Sequence, residues 1–479
     1  VNFKGVAWTL GLLSALFGAG MLVPAIVADI YHTGHIDDFL LAGCIAILIG
    51  LVLIRISAPA PQHLSHRDGF LIVALAWIVL SILGAVPFWT TGACHSLMDG
   101  LFESASGLTT TGATVLFNLD SQPPSILFWR SMQQWLGGMG IIVLTVAVMP
   151  MLSVGGMQLM RAETPGPMKD KLTARVAQTG KVLWSIYLVM TLSCALAYWF
   201  AGMTGFDAIN HAMTTLSTGG FSTHDSSFGY FTEPALGWIA ILFMFLAATN
   251  FTIHFAALRR GVPLAIYMRD DEFLAYLKWV MILLLLIGAL VIPESEGSFT
   301  QVVFNIVSVV TTSGFAINDY SVWPQASSLL FMAAMLIGGS AGSTSGGIKV
   351  VRVLLLYRQG MREIGRLIHP HAIIPVRLGK QGLSDEVTQA VWGFFALFML
   401  SFAVLSFSVA CTGVDMVTAV SAAAACISNT GPGFGLVGPA SNYAGLPDLA
   451  KGILVFGMIM GRLEIFTLFV LLVPGFWRH

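Results

Sequence analysis

Four short stretches of the chain share one pattern: Thr109-Thr110-Thr111-Gly112, Ser217-Thr218-Gly219-Gly220, Thr311-Thr312-Ser313-Gly314 and Ser428-Asn429-Thr430-Gly431. Each reads hydroxyl, then Thr or Asn, then any residue, then Gly, at intervals of 108, 94 and 117 residues. This is a fourfold repeat with a period far longer than a solenoid unit. One chain therefore brings four similar loops to one centre. Rings of backbone carbonyls from four loops can replace an ion's water shell, with Gly where the dihedrals are closed to other residues.

The sequence around the loops is apolar. Of 479 residues, 56% are hydrophobic and 10% charged, and the mean hydropathy is +0.82, against about 25% charged residues in a soluble domain. The pattern predicts an all-α integral membrane protein. Runs near 5–28, 39–57, 69–91, 126–152, 182–202, 234–258, 274–293, 325–357, 391–412 and 450–474 are each long enough to cross a bilayer, which takes about 20 residues. After the first two, each pair of spans brackets one loop. The segments before the loops, about 96–109, 206–217, 299–311 and 415–428, are too short to cross and read as re-entrant half-helices. The non-helical backbone that follows is tolerated at membrane depth where it is buried in protein or lines a wet cavity. The expected units are a two-helix element at 1–62 and repeats at 63–165, 166–266, 267–375 and 376–479, pseudo-fourfold about a central pore.

Twenty of the 23 basic residues fall on one face, including Arg161, Lys169, Arg259, Arg352, Arg358, Arg362, Arg366 and Lys380. That face is then cytoplasmic, with both termini on it. Arg130, Lys451 and Arg462 remain for the other side or the interior. The opposite face carries Asp37, Asp38, Asp120, Asp225, Glu233, Glu294, Glu296, Asp319 and Asp448, an acidic rim that concentrates cations. In this orientation each half-helix points its negative C-terminal end at the membrane centre, which favours a dehydrated cation. A net charge of −1 suggests neither nucleic acid nor a polyanion as partner, and membrane lipid is the expected surrounding. The five cysteines show no metal-ligand spacing. Cys94 and Cys411 both fall at the outer face, where a disulfide is conceivable. The opening apolar stretch lacks a small-residue cleavage site, which argues against a removable signal peptide.

With this context, the four loops resemble the potassium transporter superfamily that includes the bacterial Trk and Ktr membrane subunits and the plant high-affinity transporters. The two extra N-terminal spans and Gly338-Gly339-Ser340-Ala341-Gly342-Ser343-Thr344-Ser345-Gly346-Gly347 followed by Ile348-Lys349 bring it nearest the Trk-type (TrkH) family. The resemblance implies that each loop is a filter strand and that Gly112, Gly220, Gly314 and Gly431 favour potassium over sodium. There are departures. Ala113 follows the first Gly where Phe221 and Phe315 follow the next two. The fourth loop continues Pro432-Gly433-Phe434, so Gly433 rivals Gly431; Ser428 and Asn429 align better with Gly431.

Ser343-Thr344-Ser345-Gly346 also fits the short pattern, but no apolar half-helix precedes it. Its Gly-rich backbone lies inside an expected span and must unwind it. The resemblance implies a gate over 338–347, crossing the pore beneath the filter. Ile348 rather than Lys follows Gly347, and no strand precedes the segment, which argues against a phosphate loop. Arg462 sits in the last span, where a charge is costly and faces a cavity or a partner. Glu464, two residues on, points to another side of the helix. The resemblance places Arg462 in the pore below the filter, while a structural ion pair is the alternative. Asn250 and His254, one helical turn apart, read as hydrogen-bonding glue between helices. Asp99 and Asp207 read as N-caps of their half-helices.

No catalytic constellation is present, and the resemblance implies a transporter with potassium as its cargo and no organic cofactor. A sodium-permeable or cation-coupled member of the same superfamily is the first alternative, and a secondary transporter of an organic solute the second. The latter needs broken spans at matched positions in two halves, whereas the sequence suggests one broken span. Channel-like and proton-coupled transport both remain open. The family implies a homodimer and a cytosolic nucleotide-binding regulatory ring (TrkA-like), for which the basic loops near 161–181 and 352–380 are the docking candidates.

Overall fold

The computed structural model describes residues 1–59, 64–147, 171–260, 263–293, 298–372, 374–379 and 381–477. Among these the regular structure is helical apart from one short antiparallel pair, Arg377–Leu378 with Gln381–Gly382. Helices Phe3–Gly20 and Leu22–Ile30 form the first span and Ile36–Ser57 the second. Glycines let these two approach closely: a Cβ at Gly11 or Gly18 would lie 2.7 Å from the carbonyl oxygen of Gly50 or Gly43. Glycine pairs seven residues apart on each helix thus replace bulky packing with backbone proximity.

Four repeats follow, each a span, a half-helix, a loop and a second span. The half-helices are Leu97–Leu108, Gly205–Leu216, Phe299–Val310 and Met416–Ile427. At 12 residues each they reach about 18 Å, too short to span. All four start alike. The side chains of Ser96, Thr204, Ser298 and Asp415 accept the amide hydrogen three residues on, which satisfies one of the free donors of a helix start. This corrects the expectation for Asp99 and Asp207. They sit three residues inside their caps, where Asp99 takes Lys451 Nζ at 2.6 Å and Asp207 the hydroxyls of Thr204 and Thr223 at 2.7 Å.

Among the described residues six helices and two bent helix pairs meet the length and hydropathy of a membrane span. Two expected spans differ. Pro124–Ala147 carries Arg130, Gln133 and Gln134, all buried, and runs into residues outside the described set. The run near 325–357 is split into Gln325–Ile337 and Val350–Ile368. The expectation of one broken span is also corrected. Pro234–Ala247 and Phe251–Arg259 meet at 95°, and Asp448–Arg462 and Phe466–Leu472 at 110°. Asn250 therefore lies between helices rather than in one, and its Oδ1 accepts the Thr252 amide at 2.9 Å. His254 does act as glue, joining the Leu246 carbonyl at 2.9 Å and the Tyr267 hydroxyl at 2.6 Å.

Apolar packing divides between a core built largely from the second and third repeats and one joining the N-terminal element to the first and fourth. Large apolar side chains such as Phe200, Leu285 and Phe407 stay exposed on the outer helix faces, the pattern of an integral membrane protein whose solvent there is acyl chain. The cysteines are free, Cys94 buried and Cys411 exposed, so the conceivable disulfide between them is absent. Arg161, Lys169, Glu294, Glu296, Lys380 and the boundary at 165/166 lie outside the described residues.

Candidate functional site

Each half-helix ends with the same two bonds. In the first, the amide of Thr110 reaches the Gly107 carbonyl at 3.0 Å and that of Thr111 the Ser106 carbonyl at 2.9 Å. Thr218/Gly219, Thr312/Ser313 and Asn429/Thr430 repeat this in their own loops. It is a Schellman end, whose left-handed residue is usually Gly. Here Thr110, Thr218, Thr312 and Asn429 take that conformation, with φ of 54°, 51°, 55° and 54°. The closing glycines also have positive φ: 82° at Gly112, 76° at Gly220, 78° at Gly314 and 100° at Gly431.

The glycines pack in a cycle. A Cβ at Gly112 would fall on the Gly219 carbonyl oxygen, one at Gly220 on that of Ser313, one at Gly314 on that of Thr430, and one at Gly431 on that of Thr111, each closer than 3.0 Å. Every loop thus backs on to the next and the fourth closes on the first. Gly433 is outside the cycle, since its amide bonds to the Val437 carbonyl at 2.7 Å. The amides of the first three residues of each loop are spent on their half-helices. Among the described residues no donor reaches the carbonyls of Thr110, Thr111, Gly112, Thr312, Ser313 or Gly314. In the second and fourth loops the Gly219 and Gly431 carbonyls accept side-chain bonds from Gln134 and Tyr443 at 2.7 Å; unspent carbonyls at helix C-termini can receive a cation stripped of water.

The residues that brace these loops escaped the sequence reading. Glu103, fully buried, holds the Val115 amide at 2.9 Å, the Thr114 hydroxyl at 3.0 Å and Arg130 Nε at 2.7 Å. Arg130 continues into the second loop, donating to the Ser222 carbonyl at 3.0 Å, with its guanidinium 4.1 Å from the Phe221 ring centre. His211 bonds Ser222 Oγ at 2.9 Å, and Asn305 Oδ1 accepts the Ile317 amide at 3.3 Å. Glu103, His211 and Asn305 each lie nine residues before their Gly. A polar residue at one position in aligned half-helices was the available signal. The fourth loop has Ala422 there and uses Ser421 instead, which bonds both the amide and the carbonyl of Phe434.

Beneath the ring lies the segment 338–349. The Ile348 and Lys349 amides bond back to the Leu336 and Ile337 carbonyls at 2.9 and 2.8 Å, so the chain leaves the helix and returns beside its exit. The excursion touches the loops: the Gly346 amide donates to Thr312 Oγ1 at 2.7 Å, and a Cβ at Gly346 would overlap the Ser428 carbonyl. The cavity that this segment lines with Asn429 and Arg462 is about 10 Å³, room for no more than a water. Arg462, 2% exposed, donates to the Thr344 carbonyl at 2.9 Å and the Gly137 carbonyl at 3.2 Å, with no carboxylate in contact among the described residues. Glu464 lies beyond the helix end and pairs with Arg352 at 2.5 Å. Arg358, Arg362 and Arg366, in one of the two stretches expected to dock a partner, contact Asp271, Asp385 and Glu363 within the chain.

Between the first two repeats, His224 Nδ1 bonds Asp120 Oδ1 at 2.5 Å and its Nε2 lies 3.5 Å from Asp207. Its ring stacks on Tyr230. Burial by itself lowers the pKa of His224, but the Asp207 and Asp120 carboxylates outweigh it and hold the value above the ordinary 6.5. The charged imidazolium therefore stabilises the fold fully below pH 6.5, and that stabilisation is lost as pH rises through the elevated folded value. We expect the melting temperature to fall across that window, and His224→Gln to flatten the profile. Equal slopes in parent and variant would remove the pair from the stability of this region.

Comparison with known proteins follows the same outline. The family model described as TrkH, cation transport protein, matches residues 35–263 and 263–477. The Trk system potassium uptake proteins TrkH of Salmonella typhimurium and of Escherichia coli K12 are each 45% identical over the whole of both chains. TrkG of Escherichia coli K12 is 37% identical over 98% of this chain and 97% of its own. The crystal structure of the potassium transporter TrkH from Vibrio parahaemolyticus superposes with a TM-score of 0.92 at 43% identity, covering all of both chains.

Proposed function

The chain belongs to the TrkH family of cation transport proteins, a family of transporters and not of enzymes, and from that premise we propose that it takes up potassium. The ion would pass the ring made by Thr109–Gly112, Ser217–Gly220, Thr311–Gly314 and Ser428–Gly431. The observation that carries this reading is the cycle in which each glycine abuts the next loop's carbonyl. Four similar loops would present oxygen dipoles to one axis, and the amides of their first three residues are spent on the half-helices. The relatives named above are potassium uptake proteins, and all four closing positions here are Gly. A sodium-permeable relative or a cation-coupled symporter is the competing reading, and no observation favours it.

The direction of transport needs no chemistry. An inside-negative potential of 100 mV is worth about 2.3 kcal/mol per charge, which holds a gradient of roughly fiftyfold. We place the protein in a bacterial inner membrane on the family premise, with both termini cytoplasmic on the distribution of basic residues. The segment 338–347 would gate the path from below, with Arg462 adding a positive charge that keeps the cation from resting there. A second copy of the chain and a cytosolic nucleotide-binding ring are proposed as partners on the family premise. Purified protein in liposomes should carry potassium and rubidium well and sodium poorly. Equal sodium flux would overturn the potassium reading.

A further inference from the structure

The four loops are not equal at the residue before the closing Gly. Three carry a hydroxyl there (Thr111, Ser313, Thr430) and the second carries Gly219. In the first and third loops that hydroxyl braces its own strand: Thr111 Oγ1 bonds Thr109 Oγ1 at 2.7 Å, and Ser313 Oγ bonds Thr311 Oγ1 at 2.9 Å. The second loop has no side chain with which to do so. The missing volume is filled from another repeat, because a Cβ at Gly219 would collide with the carboxamide of Gln134.

Gln134 is fully buried in the second span of the first repeat. Its Nε2 donates to the Gly219 carbonyl at 2.7 Å and its Oε1 accepts the Phe221 amide at 3.1 Å. One acceptor and one donor on the loop fix the orientation of the carboxamide, since the reverse would face like against like. The Gly219 carbonyl is the one against which Gly112 packs. The brace therefore holds both the second strand and the wall of the first. No bond of this kind reaches the matching carbonyls of Thr111, Ser313 or Thr430 among the described residues.

We propose that Gln134 is a positioning residue for ion selectivity, supplying from the first repeat the brace that the second loop lacks. The inference rests on the reading of the loops as a potassium filter. Removing the carboxamide frees the Gly219 carbonyl to turn and leaves the Phe221 amide without its acceptor. The strand can then widen, which favours neither potassium nor its exclusion of sodium.

The test is the potassium-to-sodium permeability ratio of the full-length protein in liposomes, with its thermal unfolding measured alongside. Gln134→Met keeps the length and loses both bonds, and should lower the ratio about fivefold, the scale of one lost buried hydrogen bond. Gly219→Ser alone should also be impaired, by collision with Gln134. Combined with Gln134→Ala, the new serine has room and a hydroxyl partner within its own loop, as at Ser313. Gly219 does not have positive φ, so a serine is allowed there, and the pair should recover most of the parental ratio. A purely structural Gln134 would shift unfolding and leave the ratio untouched, which would overturn the proposal. Should Gln134→Met fail to fold, the pair decides: a double variant no more selective than Gly219→Ser also overturns it. Gly112→Ser in the same assay separates the two levels. A lowered ratio there with a parental ratio in Gln134→Met defeats this inference alone, whereas a parental ratio in Gly112→Ser defeats the filter reading.

Discussion

Gly112→Ser is expected to fold and insert yet lose its preference for potassium, with the potassium-to-sodium permeability ratio falling by about tenfold or more, a change of about 1.4 kcal/mol. Two effects act together. The residue has φ of 82°, where a side chain costs about 1–2 kcal/mol. The new Cβ would also fall on the Gly219 carbonyl oxygen, which must turn away or take its strand with it. Interiors do not absorb such overlap by local give, so the ring opens at that corner. The cycle predicts how the other positions compare. Gly220→Ser meets the Ser313 carbonyl just as closely, and Gly314→Ser meets the Thr430 carbonyl as closely again and, at 2.9 Å, Pro432 Cδ. At Gly431 the nearest oxygen, that of Thr111, is 2.7 Å away, the loosest of the four, so this variant should retain the most selectivity. Reversal potentials in mixed potassium and sodium solutions measure the series. A folded, conducting Gly112→Ser with the parental ratio would place selectivity elsewhere.

What was legible in the sequence was whatever is written locally. Half-helix length, the hydroxyl-rich run and the closing Gly are contiguous, so the loops could be aligned without any contact information. The Gly-rich break after Ile337 was legible for the same reason. The breaks after Ala247 and Arg462 were not, because neither uses Gly or Pro. The second turns through Glu464 and Ile465, at φ of 54° and 51°, conformations that a β-branched residue rarely adopts. Tertiary contacts impose them: Glu464 is held by Arg352, far away in sequence. The loop braces share that property. Arg130 reaches Ser222 and Asn429 reaches the Thr111 hydroxyl at 2.9 Å, and no spacing rule links such residues in advance. The caps were misread for a different reason. A carboxylate three residues inside a helix and a hydroxyl at its start both satisfy amides, so Ser96 and Asp99 compete for one role until coordinates separate them.

Shortening the segment 338–347 should raise basal potassium flux by about tenfold or more, the change that follows when a barrier of a few kcal/mol is removed, without altering the permeability ratio. The geometry makes the cut unusually clean. The backbone of the excursion closes on itself, with Ile348 and Lys349 bonded to Leu336 and Ile337, so its two ends are neighbours whatever lies between. Removing Ser340 to Ser345 takes away the Thr344 carbonyl that holds Arg462 and brings down the lining of the small cavity under the ring. The loops above keep their own half-helix bonds and their glycine cycle, which is why selectivity should survive. The deletion does remove ties to the Ala248 carbonyl and to Glu272, so Arg462→Gln provides a second approach that leaves the segment intact. Arg462 donates to carbonyls and touches no carboxylate among the described residues, so its loss strands no opposite charge, the circumstance that makes broken buried ion pairs so costly. The variant should fold, and flux should rise as the positive charge leaves the path. If both variants fold and conduct as the parent does, the barrier to potassium lies elsewhere in the pathway; if selectivity falls with the gate, the ring depends on the segment beneath it, through the bond from Gly346 to Thr312.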